Sequence, residues 1–505
     1  VGTEEVKGFA LTMVIGMLWN LYTAVFMSRV IFENAYGRGW IKNLRMLKMW
    51  DKTNIDFIGP RYYCMAGSLI LILLGLVAFF ARGRTMYNID FTGGTLVTIR
   101  LNEADPTVQS LSESKRAEFV RSKASVLPDV TVESLRIARD SSLTRFNIRT
   151  TEQEATPVKE KILEAFGPAL AKVEMTVGSP SPIAGTSTAE PSKNSPALIT
   201  RFAGGREYPL SFNAAAFNSN QAPAQVVSAE LIKVLEKAGI ANPSTRFEIE
   251  SPVEETNGAK AAADTKLLLR TDLEPDIAGV QLARLKESLA SNRDLLFERI
   301  TNFGGTVASD TRTLALIATV ASWVIIIVYL WWRFHSFTYG LAAVLAVVHD
   351  VLITLGAIAI SYWVARVPVI NSLFMIDQFK IDLPIVAAFL TLIGFSVNDT
   401  IVIFDRIREI KGKTPHLTTK MVNDAINQTL SRTILTALTA WLVVVILYIL
   451  GGEGLHGFAF ALVVGFLSGT YSTVYIATPI LIDWVGTKSE PSSTVGAKGK
   501  LATTR

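Results

Sequence analysis

The chain has 505 residues, of which 50% are hydrophobic and 18% are charged. Charged residues make up about 25% of typical soluble domains, so this composition excludes a purely soluble protein and predicts an integral membrane protein. The formal net charge of +5 is explained by basic loops beside membrane spans, which makes a nucleic-acid-binding function an unfavourable interpretation.

Seven stretches of the sequence are nearly free of charge, and each reaches or approaches the roughly 17–25 residues that a spanning helix needs. They are Gly8–Ser28, Tyr62–Ala81, Thr313–Trp332, Tyr339–Ala365, Leu383–Phe404, Thr433–Leu450 and Gly457–Ile482. A basic segment and further apolar stretches follow the first one, so it is interpreted as a span and not as a cleaved signal peptide. The predicted fold class is a multi-pass α-helical membrane protein with about seven spans.

The orientation of the spans follows from where lysine and arginine collect. Basic residues cluster after the first span and between the fifth and sixth spans, which predicts that both connections are cytoplasmic. The turn at 333–338 and the tail at 488–505 then also lie inside, while 366–382 and 451–456 lie outside. All the connections are consistent with one topology.

Between the second and third spans, residues 82–312 form a soluble region that this topology places outside the cytoplasm. Alternating and β-branched residues predict strands at Thr95–Leu101, Val130–Ile137, Phe146–Thr150 and Lys266–Thr271. Helical spacing of apolar residues predicts helices at Ser112–Ala124, Pro157–Ala165, Ala224–Lys237 and Ile277–Leu289. Such alternation is typical of α+β structure, so the region is predicted to be a large extracytoplasmic domain of one or two ferredoxin-like units.

Composition divides the remaining sequence. Residues 178–195 are rich in Ser, Pro, Ala and Thr and predict a mobile linker, and a second soft segment runs from 253 to 264. The whole range 178–264 is interpreted as an insertion in the outer domain. Residues 313–485 are predicted to form a five-helix transmembrane bundle, followed by a disordered cytoplasmic tail at 486–505.

Cysteine content and sequence motifs limit the kinds of chemistry that this protein is expected to perform. Cys64 is the only cysteine, so no disulfide is expected, and without a Cys/His cluster we expect no metal site. Neither a phosphate-binding G-x-x-x-x-G-K-[ST] loop nor a G-x-S-x-G nucleophile elbow occurs. We therefore expect neither an enzyme nor a cofactor. Any free energy that drives the protein would have to come from a source other than ATP hydrolysis.

The informative chemistry is an acid inside a span. Asp399 lies within Leu383–Phe404, which is otherwise uncharged. A charged side chain at bilayer depth costs at least ~2.5–3.5 kcal/mol, so such residues usually face a partner or a wet cavity and carry ions or protons. Arg432 lies near the start of the next span at similar depth, and Thr436 follows it by four residues. Burial and a nearby guanidinium act in opposite senses on the proton affinity of Asp399, so movement of Arg432 would capture or release a proton.

Each of these residues also has a purely structural interpretation. Asp399 and Arg432 would form a static ion pair that fixes helix packing, or Arg432 would extend to the cytoplasmic surface. His349 and Asp350, midway along the fourth span, belong either to the polar pathway or to interhelical hydrogen bonding.

The remaining positions favour structural roles. The charged residues at the end of the fifth span, namely Asp405, Arg406, Arg408 and Glu409, are typical of a solvated interfacial face. Gly465 and Gly469 have the G-x-x-x-G spacing of closely packed helices, and Gly93–Gly94 fit a loop before a strand.

Several of these residues occur in longer motifs that resemble one family. Asp90–Gly94 (DFTGG), His349–Thr354 (HDVLIT), Ser396–Glu409 (SVNDTIVIFDRIRE) and Ser431–Thr433 (SRT) closely resemble SecF, a subunit of the bacterial protein-export machinery. Residues 6–10 and the following span resemble the last transmembrane helix of SecD. The resemblance covers essentially the whole chain, which is expected to be the carboxyl part of a fused SecD–SecF protein.

The resemblance implies a domain plan and a set of site residues. Residues 1–31 correspond to the last SecD helix, 32–61 to a basic cytoplasmic linker and 62–81 to the first SecF helix. Asp399, Arg432 and Asn398 match the proton pathway of the family, and Asp350 is included with them. The other family-motif positions are Gly93, Gly94, His349, Asp405 and Arg406.

The resemblance also implies a function in the bacterial cytoplasmic (inner) membrane. Proteins of this type belong to the resistance-nodulation-division superfamily and use the proton gradient to promote late steps of preprotein export. The implied partners are the SecYEG channel, the missing SecD portion, exported unfolded polypeptides and a YajC-like subunit, with no nucleic acid. Two alternatives remain open: a proton-driven small-molecule or lipid exporter of the same superfamily, and a non-conducting scaffold of the translocon.

Overall fold

The computed structural model describes residues 4–40, 53–135, 144–183, 202, 204–212, 223–250, 266–414 and 416–485. The predicted tail at 486–505, the soft segment at 253–264 and most of the linker at 178–195 lie outside the described residues. The chain divides into two compact units. One comprises Val1–Phe91 and Ala308–Arg505, and the other comprises Thr92–Val307.

The first part of the chain is helical. Its elements are α1 (Glu4–Tyr22), a π-helical turn (Thr23–Met27), α2 (Ser28–Gly37), α3 (Arg61–Arg82) and the short α4 (Ile89–Thr92). The helix formed by α1, the π turn and α2 is apolar and exposed, whereas α3 packs against the bundle through its small residues Ser68, Gly75 and Ala78.

The second unit alternates strands and helices, as the sequence predicts. Its elements are β1 (Gly94–Arg100), α5 (Pro106–Gln109), α6 (Glu113–Ala124), β2 (Thr131–Leu135), β3 (Arg145–Thr150), α7 (Ala155–Phe166), β4 (Met175–Val177), β5 (Ser181–Pro182), β6 (Arg206–Phe212), α8 (Pro223–Lys237), β7 (Phe247–Glu250), β8 (Lys266–Thr271), α9 (Pro275–Ser291) and β9 (Phe297–Phe303).

These strands form two sheets with the same strand arrangement. The first sheet has the order β2-β3-β1-β9 with antiparallel neighbours; α6 connects β1 to β2 and α7 follows β3, as in the βαββαβ pattern of a ferredoxin-like fold. The second has the order β7-β8-β6-β4, with β5 paired to β6 and with α8 and α9 in the equivalent positions. The α+β prediction with ferredoxin-like units is therefore confirmed.

The two sheets exchange their edge strands. β4 follows α7 of the first ferredoxin-like pattern but joins the second sheet, while β9 follows α9 and returns to the first. The range 178–264, interpreted from sequence as an insertion, supplies β5, β6, α8 and β7. Buried Leu210 and Leu231 from that range belong to the apolar core of the second sheet. The described residues of this range are therefore part of the fold of the second sheet.

The last part of the chain is again helical. Its elements are α10 (Gly305–Phe334), α11 (Phe337–Val364), α12 (Pro368–Phe374), α13 (Leu383–Lys411), α14 (Thr419–Leu450), α15 (Glu453–Ser472), a π-helical turn (Thr473–Ala477) and α16 (Thr478–Val485). α11, α13 and α15 are the buried helices of the bundle, and their small residues allow close contact.

In the described residues, seven helices are long and apolar enough to cross a membrane. They are Val14–Gly37, Arg61–Met86, Gly305–Phe334, Phe337–Val364, Leu383–Lys411, Thr419–Leu450 and Glu453–Val485. The multi-pass α-helical prediction is confirmed. α13 continues past the predicted end at Phe404, and α14 begins before the predicted start at Thr433, because charged residues end an apolar span without ending the helix.

The segment of residues 55–58, just before α3, is bound to the first turns of α14, and we call it the strap. Asn427 accepts a hydrogen bond from the Ile55 N–H (3.0 Å) and donates one to the Ile55 carbonyl (2.9 Å), as a neighbouring β-strand would. Asn423 accepts from the N–H groups of Phe57 and Ile58 and donates to Asp56 (2.7 Å). That last bond, with a second from a backbone N–H, holds the pKa of Asp56 below its usual value. The strap thereby ties the connection before α3 to the helix that carries Arg432.

Helices α3 and α11 meet at two glycines, and this contact yields a stability prediction. A Cβ on Gly75 would lie 2.6 Å from the Cα of Gly356, so an alanine forces the two backbones apart. We expect Gly75→Ala to lower the free energy of unfolding by about 1–3 kcal/mol, the usual cost of overpacking. Thermal and denaturant unfolding of the purified protein in detergent measure this loss.

Gly67→Ala on the same helix is the matched control, since nothing lies within 4 Å of its added Cβ. It should not lower the stability, since alanine is favoured over glycine in a helix by up to about 1 kcal/mol. Equal stability of the two variants would show that the glycine contact does not set the distance between α3 and α11.

Candidate functional site

The site forms where α15 packs closely on α13. A Cβ on Gly465 would lie 2.8 Å from the side chain of Leu392, and one on Gly469 would lie 3.3 Å from the Cβ of Ser396. The structure therefore supports close packing as the role of the G-x-x-x-G pair. Ser468 and Ser472, which lie beside these glycines on α15, are thereby brought within hydrogen-bonding distance of Asp350 on α11.

Asp350 is the centre of a buried polar cluster. Its Oδ1 accepts a hydrogen bond from Ser468 (2.7 Å) and lies 3.0 Å from Nδ1 of His349, while its Oδ2 accepts from Ser396 (2.6 Å) and Ser472 (2.7 Å). We call His349, Asp350, Ser396, Ser468 and Ser472 the Asp350 cluster. Its acid is completely buried, and both carboxylate oxygens are satisfied by groups from three helices.

Asp399 lies on α13, one turn after Ser396, in a very different environment. It is 4% exposed, and its Oδ1 accepts one long hydrogen bond, of 3.5 Å, from the Thr436 hydroxyl. Its Oδ2 is buried and has no hydrogen-bond partner among the described residues. An unsatisfied buried carboxylate oxygen is costly, so the environment of Asp399 favours a change of protonation or of conformation.

Arg432 is close to Asp399 but does not bind it. Within the described part of the chain it forms no ion pair, and its side chain is exposed. Thr436 lies one turn further along α14, and its hydroxyl also donates to the Arg432 carbonyl (2.9 Å). Asn398 is exposed because it lies about 100° around the helix from Asp399. The structure brings Asp399 and Thr436 together and leaves Asn398 and Arg432 at the surface of the bundle.

The other predicted positions have clear structural contacts. Asp405 forms an ion pair with Arg333 (3.1 Å), and Arg406 forms hydrogen bonds to Gln428 and Glu409. These contacts link the last turns of α13 to α10 and α14.

The glycine pair of the DFTGG motif lies in the other unit, at the start of β1. Gly93 has a φ of +79° and lies against the end of β9, where a Cβ would be 3.1 Å from the Phe303 carbonyl oxygen. Gly94 also has a positive φ, of 147°. Their place in the structure is thus a tight turn before a strand, where glycine has little strain.

Sequence reasoning missed the two serines of α15 and did not identify the bonding partner of Ser396 on α13. Ser396 is on the same side of α13 as Asp399, but its hydroxyl donates to Asp350 on α11. Ser468 and Ser472 are four residues apart beside Gly465 and Gly469. Polar residues next to small ones in a span often bond to a neighbouring helix, and this was the available signal.

The structure therefore defines a class of protein: a multi-pass membrane protein with two buried acids in its helix bundle and a ferredoxin-like α+β unit in one long connection. The family model described as "Protein export membrane protein SecD/SecF, C-terminal" matches residues 284–487. These residues include both acids and all the helices that hold them.

A close relative covers most of the chain. The protein translocase subunit SecF of Koribacter versatilis is 31% identical over 452 residues, which are 87% of this chain and 95% of that protein. The chain belongs to the SecD/SecF family of protein-export membrane proteins. The confirmed resemblance thus rests on similarity along almost the full length of a SecF.

The fused relative extends further. The protein translocase subunit SecDF of Thermus thermophilus is 26% identical over 484 residues, which are 95% of this chain but only 45% of that protein. A crystal structure of SecDF, described as a translocon-associated membrane protein, from Thermus thermophilus aligns with a TM-score of 0.51 and 23% identity. It covers 96% of this chain and 45% of that chain, and it supports the fold.

Proposed function

We propose that this chain is an accessory subunit of a Sec translocon that uses the proton gradient to promote late steps of preprotein export across the cytoplasmic membrane. Its family membership supports an accessory role in Sec-dependent export. The proton-driven part is supported by one observation: Asp399 is a buried acid inside a span, and one of its oxygens has no hydrogen-bond partner among the described residues. Arg432 lies one turn of α14 before Thr436, whose hydroxyl contacts this acid.

Asp399 is the proton carrier in this proposal. Because its carboxyl has only one long hydrogen bond, losing or gaining a proton breaks no tight network around it. The Asp350 cluster contrasts with it, since four donors hold that carboxylate in one geometry. Ser396, which bonds to Asp350, lies one turn of α13 before Asp399. The Asp350 cluster therefore fixes the position of the helix that carries Asp399.

Arg432 is the movable counter-ion. Arginine stays charged in proteins, so it changes the proton affinity of an acid by approaching or leaving it. Moving one charge through the membrane potential supplies ~2.3 kcal/mol per 100 mV, and several protons together supply enough free energy for conformational work. The α+β unit, placed outside the cytoplasm by the basic loops, is the part that would contact exported polypeptide.

The proposal predicts that Arg432→Gln loses only the gradient-driven part of export. In vesicles that contain the translocon and this protein with its SecD portion, we expect the export rate to fall to that measured without a proton gradient. The reason is that a neutral glutamine has no charge with which to displace the proton of Asp399. The export rate of a reporter preprotein, with and without an imposed gradient, is the measurement.

Lys420→Gln removes a positive charge from an exposed position on the same helix and is the matched control. It should leave the stimulation by the gradient unchanged. Full stimulation in Arg432→Gln would instead favour a non-conducting scaffold. Co-purification with the SecYEG channel tests the other alternative, because a small-molecule or lipid exporter has no need of that channel.

A further inference from the structure

Helix α12, between the spans α11 and α13, turns large apolar side chains outward. Val369 and Leu373 are 73% and 70% exposed, and Ile370 and Phe374 are 37% and 56% exposed. At about 3.6 residues per turn, these four lie on one side of the helix. A helix on a water-exposed surface has the reverse pattern, so this side needs an apolar environment.

Asn371 of α12 is directed away from this apolar side. Asn371 is half-buried, and its Nδ2 donates a hydrogen bond to the carbonyl of Ala365 (3.1 Å), just beyond the end of α11. Asn371 is therefore held by the protein, while the four apolar side chains are exposed.

A tyrosine on α14 sets the depth of α12. Its hydroxyl, on Tyr448, lies 2.8 Å from the carbonyl oxygen of Phe374 and 3.0 Å from that of Met375. Tyr448 is only two residues before Leu450, where α14 ends, which is ~3 Å along the helix axis. Because α14 is a span, the end of α12 lies where a span leaves the hydrocarbon core.

The end of α11 beside α12 has the residues of a membrane interface. The guanidinium of Arg366 lies 4.0 Å from the centre of the Tyr362 ring, and Trp363 is 40% exposed. Tryptophan and tyrosine are enriched at the level of lipid headgroups, and an arginine there meets phosphate. Exposed apolar side chains also occur in the last turns of α11 and directly before α12, at Ile360 (36%), Trp363 (40%) and Val367 (44%).

We propose that α12 is an interfacial helix whose apolar side, Val369, Ile370, Leu373 and Phe374, inserts into the lipid leaflet at the boundary of headgroups and acyl chains. Arg366 then lies at the level of the phosphates. Since α11 carries Asp350 and α13 carries Asp399, the lipid-bound helix holds the connection between the two acid-bearing helices at a fixed depth. Lipid is the chosen occupant because exposed apolar side chains follow one another along the chain from α11 into α12, and because the end of α12 is bound near the end of the span α14.

Depth-dependent fluorescence quenching tests this proposal. The full chain, with Cys64→Ser, is reconstituted alone into vesicles of phosphatidylethanolamine and phosphatidylglycerol, and a single cysteine at Val369 or Leu373 carries an environment-sensitive dye. Val126→Cys is the matched control, since this valine is also exposed (55%) but lies in the α+β unit. Leu438→Cys, on an exposed apolar position within α14 (46%), marks the hydrocarbon core.

We expect the dyes on α12 to be quenched most by a nitroxide near the head of the acyl chain and weakly by aqueous iodide. The Val126 dye should respond to iodide alone, and the Leu438 dye to a nitroxide near the end of the chain. Strong iodide quenching on α12 would place the helix in water and overturn the proposal. Shielding from both quenchers would also overturn it, because protein, such as a second copy of this chain, would then cover the face.

Discussion

Asp399→Asn is expected to abolish proton-gradient-driven export while leaving the protein folded and inserted. Asparagine has nearly the shape of aspartate but cannot exchange a proton, so the variant loses the chemistry and keeps the packing. Little stability is at risk, because the carboxyl has one long hydrogen bond to Thr436 and an oxygen without a partner. The export rate should equal the rate without a gradient, and the free energy of unfolding should change by less than about 1 kcal/mol.

The matched control for this variant is Asp424→Asn on α14. This acid is near the first turns of that helix and outside the apolar part of the span, so its loss should leave the stimulation intact. Gradient-driven export at the normal rate in Asp399→Asn would show that another group carries the proton. A large loss of stability would show that Asp399 is a structural residue.

Asp350→Ala, in contrast to Asp399→Asn, is expected to cause a large loss of stability. The substitution leaves the hydroxyls of Ser396, Ser468 and Ser472 and one ring nitrogen of His349 without their acceptor inside the bundle. Hydrogen bonds to a charged group contribute roughly 1.5–3 kcal/mol each, whereas neutral interhelical bonds in membranes average about 0.6 kcal/mol. Breaking such a buried network costs about 3–5 kcal/mol, measurable by unfolding in detergent.

A series of serine substitutions makes this second prediction sharper. Ser468→Ala and Ser472→Ala each remove one donor to Asp350, so each should cost about 1–3 kcal/mol and less than Asp350→Ala. Ser322→Ala is the control, because its hydroxyl donates to a carbonyl of its own helix, that of Ala318 (2.8 Å), and forms no hydrogen bond to another helix among the described residues. Stability near that of the control in Asp350→Ala would mean that the cluster does not hold α11, α13 and α15 together.

The spans and most of the helices of the α+β unit were predictable because hydrophobic content and periodicity are local properties of the chain. β6 was not, and Pro209 is the physical reason. Proline lacks a backbone N–H and argues against a strand that has neighbours on both sides, yet β6 lies between β4 and β8. The exchange of β4 and β9 between the sheets depends on pairing over long distances in the sequence, which no local pattern encodes.

The candidate site was predictable in part, for the same kind of reason. The cost of a charge at bilayer depth identifies Asp399 and Asp350 directly from the sequence. Helical spacing also places Ser396 on the side of α13 that carries Asp399, but it does not say which neighbouring helix lies opposite. The approach of α15 at Gly465 and Gly469 decides that Ser396 and two further serines bind Asp350.

The most direct test of the account is an infrared titration of the protein in lipid, with Asp399→Asn as the reference. The account predicts a carboxyl band of a protonated, buried aspartate that appears and disappears reversibly with pH and is missing from the variant. An identical titration in wild type and variant would mean that Asp399 keeps one protonation state, and the proton-driven mechanism would then be wrong.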